Sequence, residues 1–83
     1  MRSVVEVRYF AAVADATGCA KETLDLPDGA TIRDLKAALI AKYGPSMERI
    51  VAVSAYLIAE ELTRVESHPL GASVDVLPPF AGG

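Results

Sequence analysis

Eighty-three residues make one domain, close to the smallest size that forms a core without disulfide or metal staples, so most apolar side chains must share a single interior. Hydrophobic residues are 52% of the chain and charged residues 23%, with no repeat or low-complexity run, which excludes a disordered segment. A net charge of -3 and a pI near 4.9 exclude a phosphate-tracking surface, one cysteine excludes an internal disulfide framework and a multi-cysteine zinc site, and Glu6, Arg8 and Asp15 interrupt apolar runs well short of the ~20 residues that cross a bilayer.

From Ser3 to Phe10 the residues alternate, with Val5, Val7 and Tyr9 on one face of a strand and Glu6, Arg8 and Phe10 on the other. Ala11 to Thr17 is alanine-rich, and Gly18 after it fits a helix stop. Lys21 to Leu26 alternates again, placing Leu24 and Leu26 inward and Thr23 and Asp25 outward, before the turn Pro27 to Ala30. The strongest helix signal follows: Thr31 as N-cap with Asp34 three residues on, then Ile32, Leu35, Leu39 and Tyr43 along one stripe, closed by Gly44 and Pro45. A short turn or helical piece through Ser46 to Ile50 leads to a β-rich run, Val51 to Ile58. Ala59 to Leu70 holds a hairpin and a crossing loop. The last strand is Ser73 to Leu77, ended by Pro78 and Pro79, which have no N–H to give to a ladder.

This order predicts an α+β chain with a β-grasp architecture: a mixed sheet of four or five strands around one main helix, its first and last strands parallel and adjacent. The division expected is a domain over 1–77 and an extended tail over 78–83.

Period two sends Phe10 outward with Glu6 and Arg8, and Leu77 outward with Asp75. Two strands therefore offer an apolar side chain on the polar face at the end where the tail departs. A cluster of Phe10, Leu77 and Phe80 is a candidate anchor for a partner, since one phenylalanine buries roughly 150 Å². The structural alternative has Phe10 curled under the first helix and Leu77 covering a sheet edge. Leu62 belongs either to this patch or to the core.

Successive prolines favour an extended backbone, and six residues at ~3.3 Å each reach roughly 20 Å. Gly82 and Gly83 have no Cβ and Ala81 has only that carbon, so the end is thin enough for a narrow channel. Its reactive group is the carboxylate of Gly83. Ionised, that group lacks a leaving group, and acyl chemistry requires activation, most simply as a mixed anhydride with AMP.

Four segments carry a family resemblance: VRYFA at Val7 to Ala11, LPDGATIRDL at Leu26 to Leu35, HPL at His68 to Leu70, and VDVLPPFAGG from Val74 onward. Across nearly the whole chain the sequence resembles the MoaD-like small subunit of molybdopterin synthase, among the ubiquitin-like sulfur carriers of the MoaD/ThiS type. The last motif is highly specific for that family. The resemblance implies that Gly83 is adenylated by a MoeB-like activating enzyme that consumes ATP, and is converted to a thiocarboxylate with sulfur from a donor protein. The tail then enters a MoaE-like large subunit, where sulfur passes to cyclic pyranopterin monophosphate. It also implies that Gly82, Ala81 and Phe80 shape the tail, that Phe10, Leu62, Leu77 and Phe80 meet the large subunit, and that no cofactor is held stably. Two turns depart from the family pattern: Gly71 to Val74 shortens the usual DGDEV, and Ala59–Glu60 replaces a frequent Asn-Gly.

Cys19 has no activating motif, His68 precedes Pro69 in a turn, and Glu60 with Glu61 forms a solvated charge pair, so none is taken as a catalytic group or metal ligand. The opening residues have no signal-peptide character, which makes the cytoplasm the expected location. Neither nucleic acid nor membrane is an expected partner. The other readings of the tail are a sulfur carrier for thiazole or cysteine synthesis, a protein modifier that forms isopeptide bonds, and an interaction domain with an inert end.

Overall fold

The computed structural model describes residues 1–79. In chain order it contains β1 (Arg2–Tyr9), α1 (Ala11–Thr17), β2 (Lys21–Pro27), α2 (Ile32–Tyr43), α3 (Met47–Val53), β3 (Ala55–Ile58), β4 (Glu61–Thr63) and β5 (Ser73–Leu77). The strands form one mixed sheet in the order β2-β1-β5-β3-β4. β1 and β5 run parallel in its middle, and the other neighbours are antiparallel. This is the expected β-grasp.

The alternation of β1 is realised as read: Val5, Val7 and Tyr9 are buried and Glu6, Arg8 and Phe10 are exposed. The inward side chains of the sheet, with Val74, Val76, Tyr56 and Ile58, pack against Val13, Ile32, Leu35, Leu39, Met47 and Val51 from the three helices. One face of the sheet is thus covered by helices. The other is not.

Local signals set the helix ends. Gly18 is left-handed at φ 79° and its N–H donates to the Ala14 carbonyl at 2.9 Å, closing α1. The Asp34 carboxylate accepts the Thr31 N–H at 2.8 Å at the start of α2. Two further first-turn donors of α2, the N–H groups of Ile32 and Arg33, go to the carbonyls of His68 and Glu66, each at 3.0 Å. The β4–β5 connection therefore caps this helix, and Arg33 and Lys36 pair with the Glu66 carboxylate at 3.3 and 2.9 Å.

Two expectations need correction. The run from Val51 to Ile58 is not one strand: Val51 to Val53 complete α3, and Ser54 separates them from β3. Met47, Ile50, Val51 and Ser54 fall at i, i+3, i+4 and i+7, so the buried stripe of a helix overrides three residues of high strand propensity. The Ser54 hydroxyl donates back to the Ile50 carbonyl at 2.7 Å. The sheet accordingly carries three helices rather than one main helix.

Candidate functional site

Parallel pairing places Tyr9 opposite Val76, so the next residues, Phe10 and Leu77, leave the two central strands side by side. Antiparallel pairing sets Ala55 opposite Leu77 and Leu57 opposite Leu62, bringing these side chains to the same uncovered face. On this face lies a groove of about 330 Å³, lined by Phe10, Ala11, Ala55, Leu62 and Leu77 together with Pro78 and Pro79. Its walls are almost wholly carbon.

Phe10 is not tucked beneath the first helix. It is 40% exposed, while α1 buries Val13 instead. Phe10 continues the extended backbone of β1 (φ -129°, ψ 150°), and the chain then turns through Ala11 at φ 50°, a left-handed value that an alanine adopts at a cost of about 1–2 kcal/mol. Leu62, undecided from its sequence position, lies on the outer face and is 62% exposed. Leu77 is half-buried, Pro78 buried and Pro79 exposed.

Asp75 faces outward, as period two places it, yet only 7% of it is exposed. Arg8, its neighbour in the parallel ladder, covers it with a two-pronged contact, Nε donating to Oδ1 at 2.7 Å and Nη2 to Oδ2 at 2.8 Å. These two hydrogen bonds, and the charge of Asp75 behind them, raise the pKa of the guanidinium further.

Below the groove the end of β1 is tied down from the core side. The hydroxyls of Tyr9 and Tyr43 donate to Glu22 Oε2 at 2.5 and 2.6 Å, and Lys42 Nζ donates to Oε1 at 2.5 Å. Burial, then the neighbouring carboxylate, pushes both phenols far above their ordinary pKa. For Glu22 burial opposes ionisation, but the hydrogen bonds from Lys42, Tyr43 and Tyr9 outweigh it and hold the carboxyl below its usual range.

The groove draws together Phe10, Leu62 and Leu77 of the sequence-derived candidates. Phe80, Ala81, Gly82 and Gly83 lie outside the described residues. Ala55 and Leu57 belong to this face although the sequence reading did not single them out, and Pro78, read there only as the end of the last strand, lines the groove. The alternation of Ala55 and Leu57 with the buried Tyr56 and Ile58 was the available signal, but sorting it requires the β3–β5 register. Cys19 is half-buried and packs against the core, with Sγ 3.8 Å from the Thr17 hydroxyl. His68 is a turn residue whose Nδ1 lies 2.8 Å from the Pro69 carbonyl, and Glu60 and Glu61 are exposed.

Among the described residues no group of three or more His, Cys, Asp or Glu side chains is arranged to hold a metal ion. A second depression, of about 410 Å³, lies at the opposite end of the sheet between Ser3–Val5, the Pro27–Ala30 turn and Pro69–Ala72, and no ionisable side chain lines it. No helix among the described residues is long and apolar enough to cross a membrane.

The five-stranded mixed sheet, in the order β2-β1-β5-β3-β4 with helices on one face, places the fold in the ubiquitin-like class of small proteins. The chain belongs to the ThiS family, whose model matches residues 7–83. It is 29% identical over 82 residues to a molybdopterin synthase sulfur carrier subunit of Chlamydomonas reinhardtii, an alignment that covers 95% of this chain and 98% of the relative. Its fold is similar to the crystal structure of SAMP1 from Haloferax volcanii (TM-score 0.78, 23% identity, 98% of this chain and 100% of that one). It is also similar to a chain in a protein–protein complex of subunits 1 and 2 of molybdopterin-converting factor from Helicobacter pylori (TM-score 0.60, 24% identity, 98% and 100% covered).

Proposed function

We propose that this protein is a sulfur carrier of the MoaD/ThiS type that serves as the small subunit of a molybdopterin synthase. The observation that carries the proposal is the match to the ThiS family through residue 83, supported by the name of the Chlamydomonas relative. The apolar groove beside Phe10, where β5 hands over to Pro78 and Pro79, supports the docking part of the reading. The chain divides into a folded domain over 1–77 and a tail over 78–83. Phe10, Leu62 and Leu77, with Phe80 of the tail, dock on a large subunit. The Helicobacter complex of subunits 1 and 2 supports a partner of that kind.

The chemistry proposed is confined to the end of the chain. An activating enzyme of the MoeB type transfers AMP from ATP to the Gly83 carboxylate, releasing pyrophosphate, and hydrosulfide released by a donor protein then displaces AMP to leave a thiocarboxylate. Gly82 and Ala81 keep this end thin enough to enter the large subunit, where sulfur passes to cyclic pyranopterin monophosphate. Nothing in the folded domain has to act as acid or base, since the carrier presents a group and the partners supply catalysis. The cytoplasm is the compartment in which we place the cycle.

The test is intact-mass spectrometry after incubation with ATP, the activating enzyme and a sulfur donor. The expected result is a gain of about 16 Da, oxygen exchanged for sulfur. An unchanged mass under conditions that charge a known carrier overturns the proposal. Lysine-linked adducts would instead favour a protein modifier, and loading without transfer to the pyranopterin would favour a carrier for thiazole or cysteine synthesis.

A further inference from the structure

Arg8 stands one row from the groove on the uncovered face, two residues before Phe10 and so roughly 7 Å along the same strand. A stable interface covers roughly 800 Å² of each partner, a disc about 16 Å in radius. Any partner seated over Phe10, Leu62 and Leu77 therefore also covers Arg8.

A guanidinium has five N–H donors. Asp75 accepts one from Nε and one from Nη2, which leaves both donors on Nη1 and the outer one on Nη2 directed away from Asp75. In the free protein water serves them, because half the Arg8 side chain is exposed (52%). Under a partner they must find a protein acceptor or remain unpaired in a dry interface, which is strongly unfavourable.

The chemistry of Arg8 indicates which acceptor. Lys21, Arg8, Asp75 and Leu57 lie next to one another across β2, β1, β5 and β3, and Glu6, two residues back along β1 on the same face, offsets the second cation of the row. The fixed cationic fork itself matches a carboxylate in charge and in spacing. Asp75 also holds the planar fork of Arg8 in place, so little side-chain freedom is left to lose when an acceptor binds.

We propose that Arg8, braced by Asp75, is a specificity-determining residue of the docking face and takes a carboxylate of the large subunit. This rests on the reading of the groove as the large-subunit docking site. The side chain selects among partners by demanding an acidic acceptor at one place beside an otherwise apolar contact, where a basic or apolar partner residue leaves donors unpaired.

The experiment measures binding of the purified large subunit from the same cell to the wild-type carrier and to Arg8→Lys, Arg8→Gln and Phe10→Ala. Arg8→Lys keeps a charge but loses the fork, and the expected result is binding weakened about tenfold or more. Arg8→Gln should weaken binding at least as much and flatten the salt dependence of the association rate, with the thermal midpoint held. Should Arg8→Gln melt early, the double variant Asp75→Asn with Arg8→Gln, which leaves no orphan carboxylate, takes its place. Changing large-subunit carboxylates to amides one at a time should identify one whose loss matches that of Arg8→Gln and adds nothing to it.

Arg8 variants that bind like wild type while Phe10→Ala binds weakly overturn the role of Arg8 and leave the groove standing. So does a loss that is additive with every large-subunit carboxylate variant. Unweakened binding of Phe10→Ala, or no binding by the wild type, removes the docking site itself and the role of Arg8 with it.

Discussion

Glu22 sits where burial alone would favour its neutral form, yet three hydrogen-bond donors from Tyr9, Lys42 and Tyr43 converge on it and hold it ionised. Its folded pKa is depressed, so the stability it contributes is present above the unfolded value of about 4.3 and is lost as pH falls through the lower folded value. Glu66, held down by its hydrogen bonds to Lys36 and Arg33, acts in the same sense. Urea melts of wild type and Glu22→Gln across this acidic window should converge as pH drops, with the wild type more stable near neutrality. Curves that stay parallel would show that the carboxylate contributes nothing through its charge. A second residue-scale expectation concerns Tyr56, which is fully buried and donates its hydroxyl to the Val51 carbonyl at 2.7 Å. Tyr56→Phe leaves that carbonyl without its donor and should cost about 1–2 kcal/mol. In a domain of this size that is a fall in thermal midpoint of about 4–8 °C per kcal/mol, read by calorimetry. All three tyrosines were readable in the sequence, Tyr9 as inward-facing, Tyr43 on a helix stripe and Tyr56 in a β-rich run. Their hydrogen-bond partners were not, because Glu22 and Val51 reach these hydroxyls only through strand register and helix packing.

The β3–β4 hairpin is the element under most local strain. Its two-residue loop, Ala59–Glu60, has φ of 50° and 70°, the pattern of a type I′ turn, which suits the twist of the flanking strands and favours Asn-Gly. Neither residue present is suited to left-handed backbone. Replacing Ala59→Asn and Glu60→Gly together should therefore raise stability by about 1 kcal/mol or more, seen as a higher midpoint with the groove unaltered. No gain would mean that the hairpin is already relaxed by its pairing with β5. The departure of this turn from the family pattern was visible in the sequence, whereas its strained geometry was not. The same contrast separates α2 from α3. Thr31, Asp34 and Gly44 mark α2 with local chemistry that any reader of the sequence can find. In α3, Val51 to Val53 carry strand propensity, and the helix is stabilised by burying Met47 and Val51 against the rest of the core.

At the scale of the whole molecule, the parallel pairing of β1 with β5 is what gathers the docking face. Two strands from opposite ends of the chain finish at the same edge, so Phe10 and Leu77 arrive together with the start of the tail. Period two in each strand placed Phe10 and Leu77 outward from sequence alone, but the cover that Arg8 gives Asp75 spans 67 residues and follows only from that pairing. Among the described residues the hydrophobic core cluster runs from Val5 to Val76. Stability and carrier function should therefore separate cleanly. A chain ending at Pro79 keeps all of that cluster and both prolines of the groove, and is expected to melt within about 2 °C of the full protein. In the presence of ATP, activating enzyme and sulfur donor it should show no mass gain. One phenylalanine added after Gly83 should behave alike, folding normally but failing to load, because on the proposed reading the end must be free of side chains to reach the activating site. Loading of either variant at the wild-type rate would mean that the thin end is not what the activating enzyme recognises, and a large drop in midpoint on truncation would mean that the tail is part of the fold rather than its cargo arm.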